Sequence, residues 1–261
     1  MLLVIDVGNT NIVTGIYDKE KLLKVWRITT NKERTSDEFG VFFITMFQND
    51  NIKMSDIVSV VISSVTPNIM YSLLHSIRKY FDCEPLLVEP GIKTGLNIKI
   101  DNPKELGADI IVNAVGAYEK YKVPLIVVDF GTATTLCPIN SKRDILGVTI
   151  CPGVRISADA LTRNAAKLPK IQIIKPGKVI GKNTVDSMQS GLVYGYIGKI
   201  EYLVNKVKDE MVESGEKKEN IKVIATGGLS RLIATEVNDI DEIDSMLTLD
   251  GLRILHEKNT K

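Results

Sequence analysis

Leu2-Leu3-Val4-Ile5-Asp6-Val7-Gly8-Asn9-Thr10 at the amino terminus is echoed by Leu125-Ile126-Val127-Val128-Asp129-Phe130-Gly131-Thr132-Ala133-Thr134 near the middle of the chain. In each, a β-branched and Leu run leads directly into Asp-x-Gly and a hydroxyl-bearing stretch. Continuous apolar runs of this kind read as strands covered on both faces, so each half delivers a carboxylate from a buried strand into a Gly-containing turn. A repeat of that unit organises the whole chain. The pattern predicts two similar α/β halves, residues 1–120 carrying the first turn and residues 121–261 the second, with Val123-Pro124 at the junction.

The segments between the turns fit the same alternation. Thr35-Ser36-Asp37-Glu38 has capping-box spacing, and Phe39, Phe42, Phe43, Met46 and Phe47 follow at helical spacing as a core face. Ile57 to Ile62 reads as a strand, Thr66-Pro67 as a capped helix start, and Leu86 to Val88 as a short strand. Pro90 to Pro103 reads as a crossing loop and Lys104 to Lys120 as a helix. Gly147 to Gly153 reads as a turn, Ser157 to Ala166 as helix, and Gly181 to Val204 as a long helix. That helix carries Ser187, Ser190, Gly191, Gly195 and Gly198 on an expected packing face. Asn205 to Lys222 is charge-rich, with Val207, Met211 and Val212 helically spaced, the usual look of a solvated face. Lys222 to Ala225 is then a strand running into Thr226-Gly227-Gly228-Leu229.

Composition narrows the function. With 261 residues and 44% hydrophobic content, the chain can build its own core. Lys+Arg 33 against Asp+Glu 32 leaves a formal charge of +1, which argues against nucleic acid or an anionic membrane as partner and for a small molecule. Cys83, Cys137 and Cys151 form no CxxC, so neither a disulfide framework nor a zinc site is supported. No run approaches the roughly 18 apolar residues of a membrane span, and a cytoplasmic soluble protein is expected. His75 and His256 are the only histidines, so no His-based triad can be assembled. Trp26 reads as a core or edge-strand residue.

A strand ending in Asp-x-Gly-Asn-Thr offers backbone amides to phosphate oxygens and a carboxylate to Mg²⁺. A single copy equally reads as an ordinary β-turn. Two copies at the ends of matching strands, facing one cleft, favour a nucleoside triphosphate. In Thr226-Gly227-Gly228, adjacent glycines let backbone lie flat against a ligand, here the adenosine of the same nucleotide.

Two phosphate turns and a Gly-Gly turn, in that order, resemble the actin, hexokinase and Hsp70 superfamily, whose fold is two similar ribonuclease H-like α/β domains with an interdomain cleft. More closely, the chain resembles the type III pantothenate kinase family. The motifs are Asp6-Val7-Gly8-Asn9-Thr10-Asn11, Thr94-Gly95-Leu96-Asn97-Ile98, Asp101-Asn102-Pro103, Gly107-Ala108-Asp109, Asp129-Phe130-Gly131-Thr132-Ala133-Thr134-Thr135, Pro152-Gly153, Gly181-Lys182-Asn183-Thr184 and Leu247-Thr248-Leu249-Asp250-Gly251-Leu252.

The resemblance implies ATP-dependent phosphorylation of pantothenate to 4'-phosphopantothenate at the start of coenzyme A synthesis. It makes Asp6 the Mg²⁺-ATP carboxylate, with Gly8, Asn9, Thr10, Asn11, Gly131, Thr132 and Thr134 around the phosphates and Gly227 and Gly228 beside the nucleotide. It makes Asp109 the general base and Asp129 a ligand of an activating monovalent cation, potassium or ammonium. Gly107, Ala108, Ile110, Ile100 and Thr184 fall in the pantothenate site, and a homodimer is implied. On local evidence alone, Asp109 also reads as a helix-terminal charge and Lys182-Asn183-Thr184 as a helix start.

Ile110 stands where the family usually has Arg, and Ile100 where it commonly has Tyr. Gly147-Val148 stands where it usually has Gly-Gly. Loss of one guanidinium contact is worth roughly 1.5–3 kcal/mol unless Lys93, Lys99, Lys104, Lys182 or Arg155 replaces it. Two rival readings stay open: a kinase of the same superfamily acting on another small metabolite, and a catalytically inactive nucleotide-binding regulatory protein. Retention of Asp6, Asp109 and Asp129 speaks against the second.

Overall fold

The computed structural model describes residues 1–260. Along the chain run β1 (Leu2–Val7), β2 (Asn11–Asp18), β3 (Lys21–Thr29), α1 (Ser36–Asn49), β4 (Ser59–Ser64), α2 (Pro67–Phe81), β5 (Leu86–Leu87) and β6 (Asn97–Ile98). There follow α3 (Ala108–Tyr121), β7 (Leu125–Phe130), β8 (Ala133–Ile139), β9 (Asp144–Ile145), β10 (Thr149–Pro152), α4 (Val154–Asn164) and α5 (Thr184–Glu213). The chain closes with β11 (Lys222–Thr226), α6 (Ser230–Ile233), β12 (Glu242–Ile243) and α7 (Leu247–Asn259). Contacts divide it into two units. Unit 1 comprises Met1–Gly95, Asn102–Gly116 and the chain from Leu247 onward; unit 2 comprises Leu96–Asp101 and Ala117–Met246.

Each unit is built on the same five-strand plan. In unit 1 the order is β3-β2-β1-β4-β5, with β1 antiparallel to β2, β2 antiparallel to β3, and β4 parallel to both β1 and β5. In unit 2, β7 is antiparallel to β8, β8 to β10, and β11 is parallel to both β7 and β12. Unit 2 adds β9 and β6 beyond β8. The echoed runs are the central strands β1 and β7. Both are nearly continuous in burial, as strands covered on both faces must be.

The capping box forms as expected, Thr35 and Glu38 exchanging bonds at the start of α1. Phe39, Phe43 and Phe47 are buried against β1, β4 and α2, with Phe81 edge-on to Phe43 at 5.3 Å between centroids. Burial of each such ring contributes about 1.5–3 kcal/mol. Trp26, on edge strand β3, stacks on Phe47 and donates its Nε1–H to Asp50 at 3.1 Å.

Five local readings change. Pro67 opens α2, but the Thr66 side chain does not cap it; its hydroxyl turns to the Asn9 amide oxygen at 3.4 Å. The helix expected from Lys104 begins at Ala108, because Pro103–Glu105 forms a separate 3-10 turn capped by Asn102. The expected loop 90–103 contains β6, whose edge pairs with β9. Within the expected turn at 147–153, Thr149–Pro152 is an edge strand, where Pro152 interrupts no interior ladder.

The fifth concerns the end of the long helix expected at Val204: α5 runs 30 residues without a break into the charged stretch, keeping its helical spacing and its solvated charges. Val207 and Met211 continue its apolar face into the unit 2 core, while Asp209 and Glu210 point outward. The glycines expected to pack do not: a Cβ on Gly191, Gly195 or Gly198 would meet nothing within 4 Å.

The last helix, α7, packs in unit 1 on β1, β2 and β4, with Leu247, Leu249, Leu252 and Leu255 buried. Among the described residues, no helix is long and apolar enough to cross a membrane.

Candidate active site

In unit 1 the parallel register sets Asp6 beside Ser63, whose hydroxyl donates to Asp6 Oδ1 at 2.6 Å. The turn after β1 closes by Gly8 N–H donating to the Asn11 carbonyl at 3.0 Å. Thr30 fastens it to β3: its hydroxyl donates to the Gly8 carbonyl at 2.7 Å and its N–H to the Thr10 carbonyl at 3.0 Å. Asn9 and Thr10 are left exposed at the tip.

Burial of the carboxyl group pushes Asp6 up to about 6; the charge of Asp109 adds to this, while the Ser63 bond and Arg27 oppose it. Asp109 lies in the first turn of α3, where Oδ1 accepts the Ile110 N–H at 2.9 Å. Burial raises it above the usual carboxylate range, partly offset by backbone donors. Gly107 leaves this carboxylate its place, since a Cβ there would stand 2.5 Å from Asp109 Oδ1. Ala108 is half-buried and Ile110 buried.

In unit 2 the matching register sets Asp129 beside Thr226. Gly227 follows with φ +93°, and a Cβ on it would stand 2.4 Å from Asp129 Oδ1 and 2.7 Å from the Phe130 backbone. Only glycine meets both demands. The Ser230 hydroxyl donates to the Gly227 carbonyl at 2.7 Å, and Gly228 is exposed.

Gly131 and Thr132 are also exposed, and Gly153 sits directly under their turn, donating its N–H to the Thr132 carbonyl at 3.2 Å. Thr134 is buried, its hydroxyl accepting a hydrogen bond from Tyr196 of α5. It therefore braces the turn. Thr184 is the exposed first residue of α5, which Asn183 caps by accepting the Asp186 N–H at 2.9 Å. Beside it Leu168, Gly181, Lys182, Asn183, Ser187 and Met188 line a cavity of about 510 Å³. Ile100 is half-buried.

The structure thus gathers Asp6 and Asp109 in unit 1, and Asp129, Gly131, Thr132, Gly227 and Gly228 in unit 2. Ser63, Thr30, Tyr196 and the backbone fit of Gly153 were not singled out in the sequence. Ser63 becomes visible only once the β1–β4 register is known.

The donor set at Asp6 suits a divalent cation: a carboxylate with one hydroxyl donor, in the field of a second carboxylate, gains from a positive charge. Among the described residues no three His, Cys, Asp or Glu side chains gather as a metal cage. The remaining ligands would therefore be phosphate oxygens and water, as usual for magnesium held with a nucleotide.

Solved structures share the fold. A candidate Baf family transcriptional activator from Campylobacter jejuni aligns over 99% of this chain and 98% of its own, at 18% identity and TM-score 0.57. Component A of the (R)-2-hydroxyglutaryl-CoA dehydratase from Acidaminococcus fermentans aligns over 100% and 99%, at 14% identity and TM-score 0.57. A candidate 2-dehydro-3-deoxygalactonokinase from Sinorhizobium meliloti aligns over 98% of each chain, at 11% identity and TM-score 0.57. At such identities the likeness concerns the fold alone. Type III pantothenate kinase is the family whose model matches residues 2–206, a span that takes in both aspartate turns, Gly107-Ala108-Asp109 and the start of α5. The chain belongs to the type III pantothenate kinase family.

Proposed function

We propose that this chain's pantothenate kinase reaction, ATP-dependent formation of 4'-phosphopantothenate, is run by Asp6 and Asp109, with Asp129 and the Gly227-Gly228 turn serving the nucleotide. The observation that carries the reading is that Asp6, near the end of β1, and Asp109, in the first turn of α3, stand close enough for the charge of Asp109 to raise Asp6, burial raising each as well. Phosphoryl transfer asks the protein mainly for positioning and charge neutralisation. The carboxylate of Asp109 accepts the proton of the pantothenate primary hydroxyl as that oxygen takes the γ-phosphoryl group from ATP, the bond from the γ-phosphorus to the β,γ-bridging oxygen breaking and ADP leaving. Asp6, with water and phosphate oxygens, would hold Mg²⁺, which when bound neutralises charge on the phosphates. Asn9 and Thr10 in unit 1, and Gly131 and Thr132 in unit 2, offer exposed backbone suited to phosphate oxygens, and Asp129 would hold potassium or ammonium.

Two further parts belong to the same proposal. Ile110 is buried, so this chain holds pantothenate without the guanidinium usual there, and the KM for pantothenate is raised unless a lysine or Arg155 replaces it. The exposed glycines of α5, flanked by exposed Val185 and Tyr202, offer a surface on which a second copy can approach backbone to backbone. A homodimer through α5 is the expected assembly, checked by sedimentation of the purified protein.

The deciding experiment mixes the full chain with Mg²⁺-ATP and pantothenate, with potassium or sodium as the only monovalent cation, and follows 4'-phosphopantothenate. Formation stimulated by potassium supports the reading. Equal rates in both buffers remove the cation role, and phosphorylation of another small hydroxyl compound in place of pantothenate favours the rival substrate class.

A further inference from the structure

Asp6 and Asp109 lie more than a hundred residues apart in sequence, on a strand and on a helix, and catalysis needs them at one fixed spacing. Direct bonds fix only their own surroundings: Ser63 for Asp6, the Ile110 N–H for Asp109. One element that touches both the helix and the sheet is α7.

On its sheet side, Leu249 packs into the space left by Gly15 of β2, where a Cβ would come within 3.1 Å of Leu249 Cδ1. Asp250 receives the hydroxyl of the buried Tyr17, also on β2, at 2.6 Å. Toward α3 the approach is closer still. A Cβ on Gly251 would stand 2.2 Å from the Val112 carbonyl oxygen, and one on Gly116 would stand 2.8 Å from the Leu247 carbonyl oxygen. The two helix backbones therefore touch, and the Thr248 hydroxyl bonds the amide oxygen of the buried Asn113 at 2.7 Å. Residues 109, 112 or 113, and 116 follow one another along one face of a helix, so this contact begins one turn beyond the carboxylate.

We infer that α7 is the spacer that sets where Asp109 stands relative to Asp6, with Gly251 and Thr248 as positioning residues for the base. The inference rests on the reading of Asp109 as that base. Backbone contact cannot be adjusted by a rotamer change, so added volume at Gly251 moves α3 itself. Loss of the Thr248 bond instead frees α3 to rotate and slide.

The test measures kcat, KM for ATP and melting temperature on the full chain, assayed well below every variant's melting point. Thr248→Val is expected to lower kcat about tenfold, since small displacements of a catalytic group are costly, while KM for ATP stays within about twofold. Thr248→Ser, which keeps the hydroxyl, is expected to restore most of kcat. Gly251→Ala is expected to lower kcat further. Because Gly251→Ala sets a Cβ against backbone and can fail to fold, the Thr248 pair carries the decision. A kcat for Thr248→Val within twofold of the parent, or an equal loss in Thr248→Ser, overturns the spacer role. Asp109→Asn, run alongside, separates the two readings. An inactive Asp109→Asn beside an unaltered Thr248→Val overturns the spacer alone. Normal turnover in Asp109→Asn overturns the base assignment and the spacer with it.

Discussion

Asp6 and Asp129 occupy the same place in two copies of one strand plan, each in register with a hydroxyl residue on the parallel neighbour, Ser63 for the first and Thr226 for the second. Their finishing differs. Asp6 accepts the Ser63 hydroxyl, lies in the field of Asp109 and carries a raised pKa, so its surroundings are governed by charge. Asp129 has Gly227 pressed against Oδ1, and Gly153 fits closely under the turn that follows, so close packing shapes that turn. A duplicated scaffold thus supplies two carboxylates at equivalent strand ends, while the residues around them give each a different setting. Four experiments can break or sharpen that contrast.

The largest effect is expected at the charged end of unit 1. Asp109→Asn keeps the shape and the acceptor for the Ile110 N–H but cannot take a proton, and kcat should fall by about 10²- to 10⁴-fold with ATP binding retained. Calorimetric titration with ATP beside steady-state kinetics checks it. A variant that loses ATP binding and turnover together would place Asp109 on the nucleotide instead.

Asp6→Asn probes the cost of that charge in the metal-free protein. A native pKa of about 6 against 3.8 in the unfolded chain means that the folded state holds the proton more tightly. The parent therefore loses stability as pH rises from about 4 to 6, by up to about 3 kcal/mol at neutral pH. Asp6→Asn should melt above the parent at pH 7.5, the gap closing near pH 4, while its use of Mg²⁺-ATP is impaired. Equal melting at pH 7.5 would show that the Asp6 carboxylate pays no such penalty.

Volume is the probe for unit 2. Gly227→Ala forces a left-handed φ on a residue with a side chain and drives its Cβ against Asp129 and Phe130. Strain of that kind costs about 1–3 kcal/mol, read as weaker nucleotide binding and a lower melting temperature. Gly8→Ala should cost less, because its Cβ would meet only the Asn11 carbonyl at 3.0 Å. Equal losses at the two glycines would erase the contrast between the turns.

The smallest effect is expected from Tyr196→Phe, which removes the donor to the Thr134 hydroxyl and to the Pro152 carbonyl. One such bond is worth about 1 kcal/mol, so nucleotide affinity should fall by roughly fivefold with pantothenate KM unchanged. An unchanged affinity would mean that the second turn stands without its brace.

The strands were legible because burial on both faces leaves an unbroken apolar run, and the turns because Asp-x-Gly is a local signature. Gly227 could be singled out from its neighbours in sequence, though the reason it must be glycine lies in Asp129 and Phe130. Elsewhere local patterns misled. Gly191, Gly195 and Gly198 have the spacing of a packing face yet stand exposed, since spacing tells which residues share a face and not what lies opposite. The helical spacing after Asn205 was legible, but the rise in charge there masked its continuity with α5, which Val207 and Met211 anchor to the core. Thr66 looks like a cap, but Asn9 took its hydroxyl.

By itself, then, the sequence determined the duplicated α/β plan, the order of the turns and the family, all carried by residues adjacent in the chain. Only the tertiary structure decided what each carboxylate faces. Ser63 reaches Asp6 through a parallel register, and Tyr196 reaches Thr134 from a helix 62 residues on. The carboxyl-terminal helix returns to unit 1, where Gly251 meets the backbone of α3. Contacts of that range depend on how strands pair and helices cross, and no local pattern encodes a partner more than fifty residues away.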